Sequence, residues 1–170
     1  MIKRTIQCLR RREFKALLED FVEPEYIGHE DCPLMVRYTL FYRLGVKVTI
    51  HYFPPEVTDK DPHDHPSAFV SLILKGGYFN TEWVKVDLPG QEYMQELEWI
   101  ERGRFIYRPA KHMHIVETNH LGAWTFVVMG PKSRPWGFLR LVDQSWWPFE
   151  RYVEKFGGTA RCETDDGSRT

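Results

Sequence analysis

The stretch DPHDHPSAFVSLILKGG, residues 61–77, joins two histidines to a long apolar run that ends in two glycines. Side chains two residues apart on an extended strand point to the same face, so His63 and His65 are expected to lie side by side. Pro62 and Pro66 flank the pair and restrict the backbone that presents it. Two imidazoles on one face can bind one metal ion, at metal–nitrogen distances of about 2.0–2.1 Å.

A second histidine pair begins another β-type segment, RPAKHMHIVET, residues 108–118. One such pair is weak evidence, since alternation aligns any two polar residues, but two pairs are much less expected by chance. The sequence therefore predicts a metal site built by His63, His65 and His114. His112 is a fourth ligand, a base behind the ligands, or a solvent-exposed histidine at the rim. Imidazole suits Fe, Zn, Cu and Ni, so the ligands alone do not choose the metal.

The segments around these pairs predict an all-β domain. Between residues 34 and 141, short runs rich in β-branched and aromatic residues are separated by Gly, Pro, Asp and Asn. This pattern is typical of a sandwich or barrel. A short helix is expected at each end, over residues 11–21, where apolar residues recur at helical spacing, and over residues 148–156.

Two further stretches complete the predicted organisation. Residues 88–102 carry signals for both helix and strand, and we interpret them as a strand-loop-strand connection between the two histidine elements. Residues 157–170 are polar and glycine-containing, which predicts a disordered tail. The sequence thus predicts a single domain over residues 1–156.

The overall composition excludes several classes of protein. The chain of 170 residues has 23 Lys and Arg against 24 Asp and Glu, so it lacks the basic excess of nucleic-acid-binding proteins. Its three cysteines have no C-x-x-C spacing, which favours a reducing compartment. No apolar stretch approaches the roughly 18 residues of a membrane span. The first residues are charged and then amphipathic, so we do not expect a secretory signal there. We expect a cytoplasmic protein without nucleic-acid or membrane partners.

The two histidine elements resemble the two motifs of the cupin superfamily, commonly written G-x5-H-x-H-x(3,4)-E-x6-G and G-x5-P-x-G-x2-H-x3-N. The residues that match the first motif and then the second are His63, His65 and Gly76 or Gly77, followed by Gly103, Pro109 and His114. The likeness covers residues 46–129. It implies a double-stranded β-helix, the jelly-roll barrel of the cupins, with one divalent metal ion inside.

The chain also departs from the family pattern. The motif glutamate falls at Phe69 or Val70, neither of which can bind metal, and the leading glycine is Val57. In the second motif, Lys111 replaces the glycine and Thr118 the asparagine. The resemblance therefore implies a three-histidine site without a carboxylate, as in thiol dioxygenases and some diketone-cleaving dioxygenases.

What the resemblance implies about function follows from that site. It favours a mononuclear non-haem Fe(II) oxygenase acting on a small anionic metabolite, with Zn, Ni or Mn as other possible metals. One alternative is a non-catalytic module that binds a small ligand and holds a structural metal. Another is a metal-free isomerase with a histidine base and a tyrosine acid. Small cupins often form homodimers, so a homodimer is expected as well.

Side chains near the two elements are candidate contacts for a substrate. Ser71 lies close to the missing carboxylate position, and an inward-pointing Arg37 or Arg108 could hold a carboxylate through two hydrogen bonds. For each arginine a solvent-exposed position is the more common outcome, and for Trp124 core packing is. The candidate substrate-binding residues are Arg37, Tyr38, Ser71, Tyr107, Arg108 and Trp124.

Overall fold

The structure is a computed structural model that describes residues 14–29, 32–88, 91–157 and 159–161. Its strands are β1 (Pro24–His29), β2 (Cys32–Arg43), β3 (Val46–Phe53), β4 (Thr58–Asp59), β5 (Phe69–Leu88), β6 (Gln91–Glu101), β7 (Phe105–Arg108), β8 (His114–Met129), β9 (Gly137–Arg140), β10 (Ser145–Pro148) and β11 (Ala160–Arg161). Helix α1 comprises residues 14–19 and α2 comprises Phe149–Phe156. The prediction of an all-β fold with a short helix near each end is confirmed, although residues 11–13 lie outside the described residues.

The strands form one large antiparallel sheet and one hairpin. The path β1-β2-β3-β8-β4-β11 is continuous, β5 pairs with β8 and also with β6 and β7, and β9 pairs with β10. The long strands β5 and β8 run side by side from the Phe69–Met129 pair to the Glu82–His114 pair. Since β5 follows the first histidine element and β8 begins with the last histidine, this pairing brings both elements to one region.

A glycine permits the close approach of β5 and β8. Gly76 has a φ of 70°, in the left-handed region that favours glycine. A Cβ atom there would lie 1.9 Å from the carbonyl oxygen of Gly122, so any side chain would push the strands apart. The register of the pair shifts here, and β5 exchanges its partner β7 for β6. Leu88 ends β5 and Gln91–Glu101 form β6, so the segment predicted as a strand-loop-strand connection is instead one long strand that pairs back on β5.

The sheet of β2, β3 and β8 is buried on both faces. Its outer face packs Tyr38, Ile50 and Trp124 against Leu18 of α1. Neighbouring residues on a strand point to opposite faces, so the inner face carries the residues that alternate with these. His51 is among them, and it is only 7% exposed. This inner face borders the region to which the histidines converge.

The C-terminal elements close the side of that region. Phe138 of β9 is buried and stacks on Tyr152 of α2, with ring centroids 4.4 Å apart. The Tyr152 hydroxyl donates a hydrogen bond of 2.5 Å to Oδ2 of Asp61. The hairpin and α2 are thus fastened to the segment that carries the first histidine pair.

The chain remains structured beyond the predicted domain boundary at residue 156. Strand β11 pairs with β4, and both Thr159 and Ala160 are buried. This part of the segment assigned to a disordered tail is therefore a strand, because Ala160 packs into a small core cluster with Leu34 and Val57. Residues 162–170 lie outside the described residues. Within the described part of the chain, neither helix has the length and apolar character to cross a membrane.

Candidate metal centre

The three histidines predicted as ligands lie together. His63, His65 and His114 each offer a ring nitrogen, and these atoms are within 4.8 Å of one another. The Nε2 atoms of His65 and His114 are 3.1 Å apart. Two nitrogens that bind one ion at about 2.0–2.1 Å are separated by about 3.0–3.4 Å, so this spacing fits a shared metal ion. The cluster is consistent with a divalent metal site, and imidazoles alone do not select the metal.

The backbone at the first pair is extended but does not belong to a regular strand. His63 forms an isolated antiparallel bridge with His114, with N···O distances of 2.9 and 3.0 Å. The N–H of His65 donates to the carbonyl of Ala110 at 3.0 Å. The expectation of a strand is thus corrected to a bridged segment between β4 and β5. Its extended conformation still directs both imidazoles to one side.

His112 behaves differently from its neighbour His114. It lies in a turn, where its N–H donates to the carbonyl of Pro109 at 3.0 Å, so strand alternation does not apply. Its Nδ1 is 3.0 Å from Oε1 of Glu82, and its buried Nε2 has no hydrogen-bond partner among the described residues. The His112 and His114 ring centroids are 4.8 Å apart, yet His112 is not part of the three-histidine group.

Two polar side chains orient the ligand histidines. Nδ1 of His114 lies 2.5 Å from Oδ1 of Asn80, an acceptor, so this nitrogen carries the proton and Nε2 presents its lone pair to the cluster. Nδ1 of His63 lies 3.2 Å from Oδ2 of Asp59, within ion-pair distance but not aligned as a hydrogen bond. The same carboxylate oxygen accepts the N–H of Val116 at 2.8 Å. Sequence analysis missed both residues, because neither belongs to a motif or to a recognisable spacing.

The environment keeps His65, His112 and His114 neutral. Burial is the main cause that lowers the pKa of His65 and His114 well below the ordinary value, and the electrostatic interaction with the neighbouring histidines and Arg108 adds to it. Burial and then the charge of Arg108 lower the pKa of His112 to about 3. A neutral imidazole is the form that binds metal, so the site does not have to lose protons from these rings at neutral pH.

Asp64, between the two ligand histidines, points to the other side and anchors the segment. Its Oδ2 accepts hydrogen bonds from Nη1 of Arg134 and, at 3.1 Å, from Nε1 of Trp146. Its Oδ1 accepts the backbone N–H of Gly137 at 2.8 Å. The carboxylate is buried, so these charge-assisted bonds join the histidine segment to the start of β9.

A cavity of about 70 Å³ adjoins the three histidines. Much of its wall is apolar, with Phe53, Phe69 and Val127 among the lining residues. Ser71, predicted as a substrate contact, lines it as well. Thr125 also contributes to the wall, and its buried Oγ1 has no hydrogen-bond partner among the described residues. The cavity can therefore accept a small polar group next to the histidines.

Of the other predicted substrate contacts, some face the interior of the fold and others its outer surface. Arg37 lines a second cavity, and the charge of Arg108 acts on the histidines. Tyr38 and Trp124 pack on the outer face of the sheet beneath α1, and Tyr107 is 61% exposed. These three residues do not line the histidine cavity, because each alternates with an inward-facing neighbour on its strand.

Comparison with known proteins identifies similar folds only. No family model and no curated protein sequence matches the chain. An RmlC-like cupin from Shewanella frigidimarina is 16% identical over 68% of this chain and 88% of that chain, with a TM-score of 0.49. The DMSP lyase DddQ from Ruegeria pomeroyi is 15% identical over 64% of this chain, with a TM-score of 0.49, and this chain spans only 56% of its length.

A third structure, the cupin-2 domain Rru_A2000 from Rhodospirillum rubrum, is 15% identical over 66% of this chain and 72% of that chain, with a TM-score of 0.48. Similarities at these levels carry no information about activity. The assignment depends instead on the chain's own antiparallel strands and on the convergence of its two histidine elements. By these features the protein has the double-stranded β-helix fold of the cupins, with three histidines placed as a metal centre.

Proposed function

We propose that the protein is a mononuclear Fe(II)-dependent oxygenase that acts on a small anionic metabolite. The observation that supports this is the set of three imidazoles, with the rings of His65 and His114 held neutral, beside a small, largely apolar cavity. Three neutral ligands do not compensate the charge of a divalent ion, so the site favours an anionic substrate. When bound, the iron would supply Lewis acidity and redox chemistry.

The chain's own residues would hold the metal ion, orient its ligands and shield the substrate from water. His63, His65 and His114 would hold the ion, and Asn80 would fix the tautomer of His114 through its 2.5 Å contact. The apolar wall, to which Phe69 contributes, would limit the access of water and strengthen electrostatic attraction inside the cavity. We assign no acid or base, because His112 is held by Glu82 and does not line the cavity.

Metal analysis and oxygen consumption test this proposal. Protein purified without a polyhistidine tag should contain one transition metal ion per chain, and should consume oxygen in the presence of Fe(II) and a small anionic thiol or diketone substrate. His63→Ala and His114→Ala should lose both properties. His120→Ala is the matched control, because His120 is exposed on the same strand as His114. Absence of affinity for Fe(II), Ni(II) and Zn(II) would overturn the proposal.

A non-catalytic binding module is the second candidate, favoured by one observation. The buried Nε2 of His112 lacks a partner among the described residues and lies near the ring of His114. A shift of this ring would supply a fourth imidazole, and structural sites are coordinatively full. Nitric oxide separates the two candidates: an iron–nitrosyl signal from the Fe(II)-loaded protein requires an open position and supports the oxygenase. Bound iron without that signal supports the module.

A further inference from the structure

A larger cavity adjoins the histidine cavity and opens to the surface. Its volume is about 480 Å³, against about 70 Å³ for the histidine cavity. Met35 and Met129 line both, so the two cavities are neighbours with these thioether side chains at their boundary. We call the larger one the outer cleft. Together the two cavities suit an elongated ligand with one end at the histidines and the other in the outer cleft.

The outer cleft is positively charged. Arg37, Lys47 and Lys132 line it, and no Asp or Glu is among its lining residues in the described part of the chain. Of the three cations, only Arg37 has an ion pair among the described residues, since its Nη1 lies 3.2 Å from Oε1 of Glu25. The ammonium of Lys47 instead lies 5.9 Å from the ring centroid of Tyr42.

Arg37 also retains a donor without an acceptor. Its Nε is buried and makes no hydrogen bond within the described residues. An unsatisfied buried donor costs about 1–3 kcal/mol, and more when the group is charged, so it is unusual unless something else pairs with it. An oxyanion in the outer cleft would provide that acceptor.

The sheet register directs two of these cations, Arg37 and Lys47, inward. Arg37 on β2 is paired with His51 on β3, and residues directly opposite each other on paired strands share a face. Lys47 lies four residues before His51 on the same strand, so it has the same orientation. His51 itself lines the histidine cavity. The charges of Arg37 and Lys47 also contribute, after burial, to lowering the pKa of His51, as expected for cations that face the same interior.

We propose that the outer cleft binds an oxyanion with two negative charges, a phosphate monoester or a pair of carboxylates, at the far end of the ligand whose near end meets the histidines. Lys47 and Lys132 supply two cations without ion-pair partners among the described residues, and Arg37 adds the free Nε donor. The position of the near end rests on the proposed function. The anion site stands on the outer cleft alone and can be tested without metal.

Calorimetry and methionine-methyl NMR on the full chain test this site, with phenyl phosphate and succinate as probes. Binding should shift the methyl signals of Met35 and Met129 and leave that of Met94, which lies on β6 away from the cleft, unchanged. The double variant with Lys47→Gln and Lys132→Gln should bind at least about tenfold more weakly, as expected for about 1.4 kcal/mol of lost interaction. Lys85→Gln, an exposed lysine on β5, should bind like the wild type.

The outcomes distinguish this proposal from the oxygenase proposal. Stronger binding of phenyl phosphate identifies a phosphate ligand, and stronger binding of succinate identifies a dicarboxylate. If neither probe binds at millimolar concentration, or if the double variant binds as tightly as Lys85→Gln, the anion site is wrong. If the wild type binds the anions but no metal, only the oxygenase proposal is overturned, because the anion site is formed by Arg37, Lys47 and Lys132 and does not include the histidines.

Discussion

The two histidine pairs have the same spacing in sequence, but they do not contribute equally to the three-histidine cluster. His63 and His65 both reach the cluster, whereas only His114 of the second pair does. The first pair lies on extended backbone bridged to a neighbouring strand, and side chains two apart then share a face. In the second pair, His112 is inside a turn and is drawn to Glu82. An H-x-H spacing therefore predicts convergence only where the backbone is extended at both histidines.

Removing one histidine from the second pair at a time gives the largest expected contrast. His114→Ala should weaken metal binding by more than about 100-fold, because a ligand is lost from a site of only three. His112→Ala should weaken it by less than about tenfold, because His112 lies beside the cluster and not in it. Competitive titration with a chromogenic chelator measures both. Equal losses for the two variants would show that His112 is a ligand in solution.

The first pair differs from the second in carrying an anchor between its histidines, and removing that anchor should give the next largest effect. Asp64→Ala should lower the free energy of unfolding by about 3 kcal/mol, since it leaves the buried N–H of Gly137 and the cation of Arg134 without their acceptor. Denaturant unfolding measures this. Asp143→Ala removes an exposed aspartate near the same hairpin and should cause a much smaller loss. Similar losses for both variants would mean that Asp64 anchors nothing.

Much of this arrangement could be predicted from the sequence, and the failures have a physical pattern. The two H-x-H elements and the β-type runs between them predicted the β fold and the convergence of His63, His65 and His114, because alternation is a local rule. Arg37 and Tyr38 were both named as substrate contacts, although adjacent strand residues cannot face the same side. Asn80 and Asp59 were missed, because they meet the histidines only through strand pairing that links positions far apart in the chain.

The partners of the histidines offer a finer test of how each pair is held. Asn80→Ala should weaken metal binding about tenfold, because His114 loses the acceptor that fixes its tautomer and ring orientation. Asn80→Asp keeps an acceptor oxygen at that position and should restore binding. Glu82→Gln, which alters the partner of His112, should leave the affinity nearly unchanged. If Asn80→Asp binds as weakly as Asn80→Ala, orientation of His114 is not the role of Asn80.

His51 lies on the regular strand β3, outside both histidine pairs. Its substitution should have the smallest effect, a change in how stability depends on pH. Burial, then Arg37 and Lys47, hold its pKa well below the ordinary value, so folded His51 stays neutral while the unfolded chain takes up a proton below about pH 6.5. The stability it contributes is complete above that pH and is lost as the pH falls. The wild type should therefore lose about 1.4 kcal/mol more than His51→Gln between about pH 7.5 and 5.5. Urea unfolding of both proteins across this range measures the difference. Parallel curves would show that His51 takes up its proton over the same pH range in the folded and the unfolded chain, so neither burial nor the interior cations would lower its pKa.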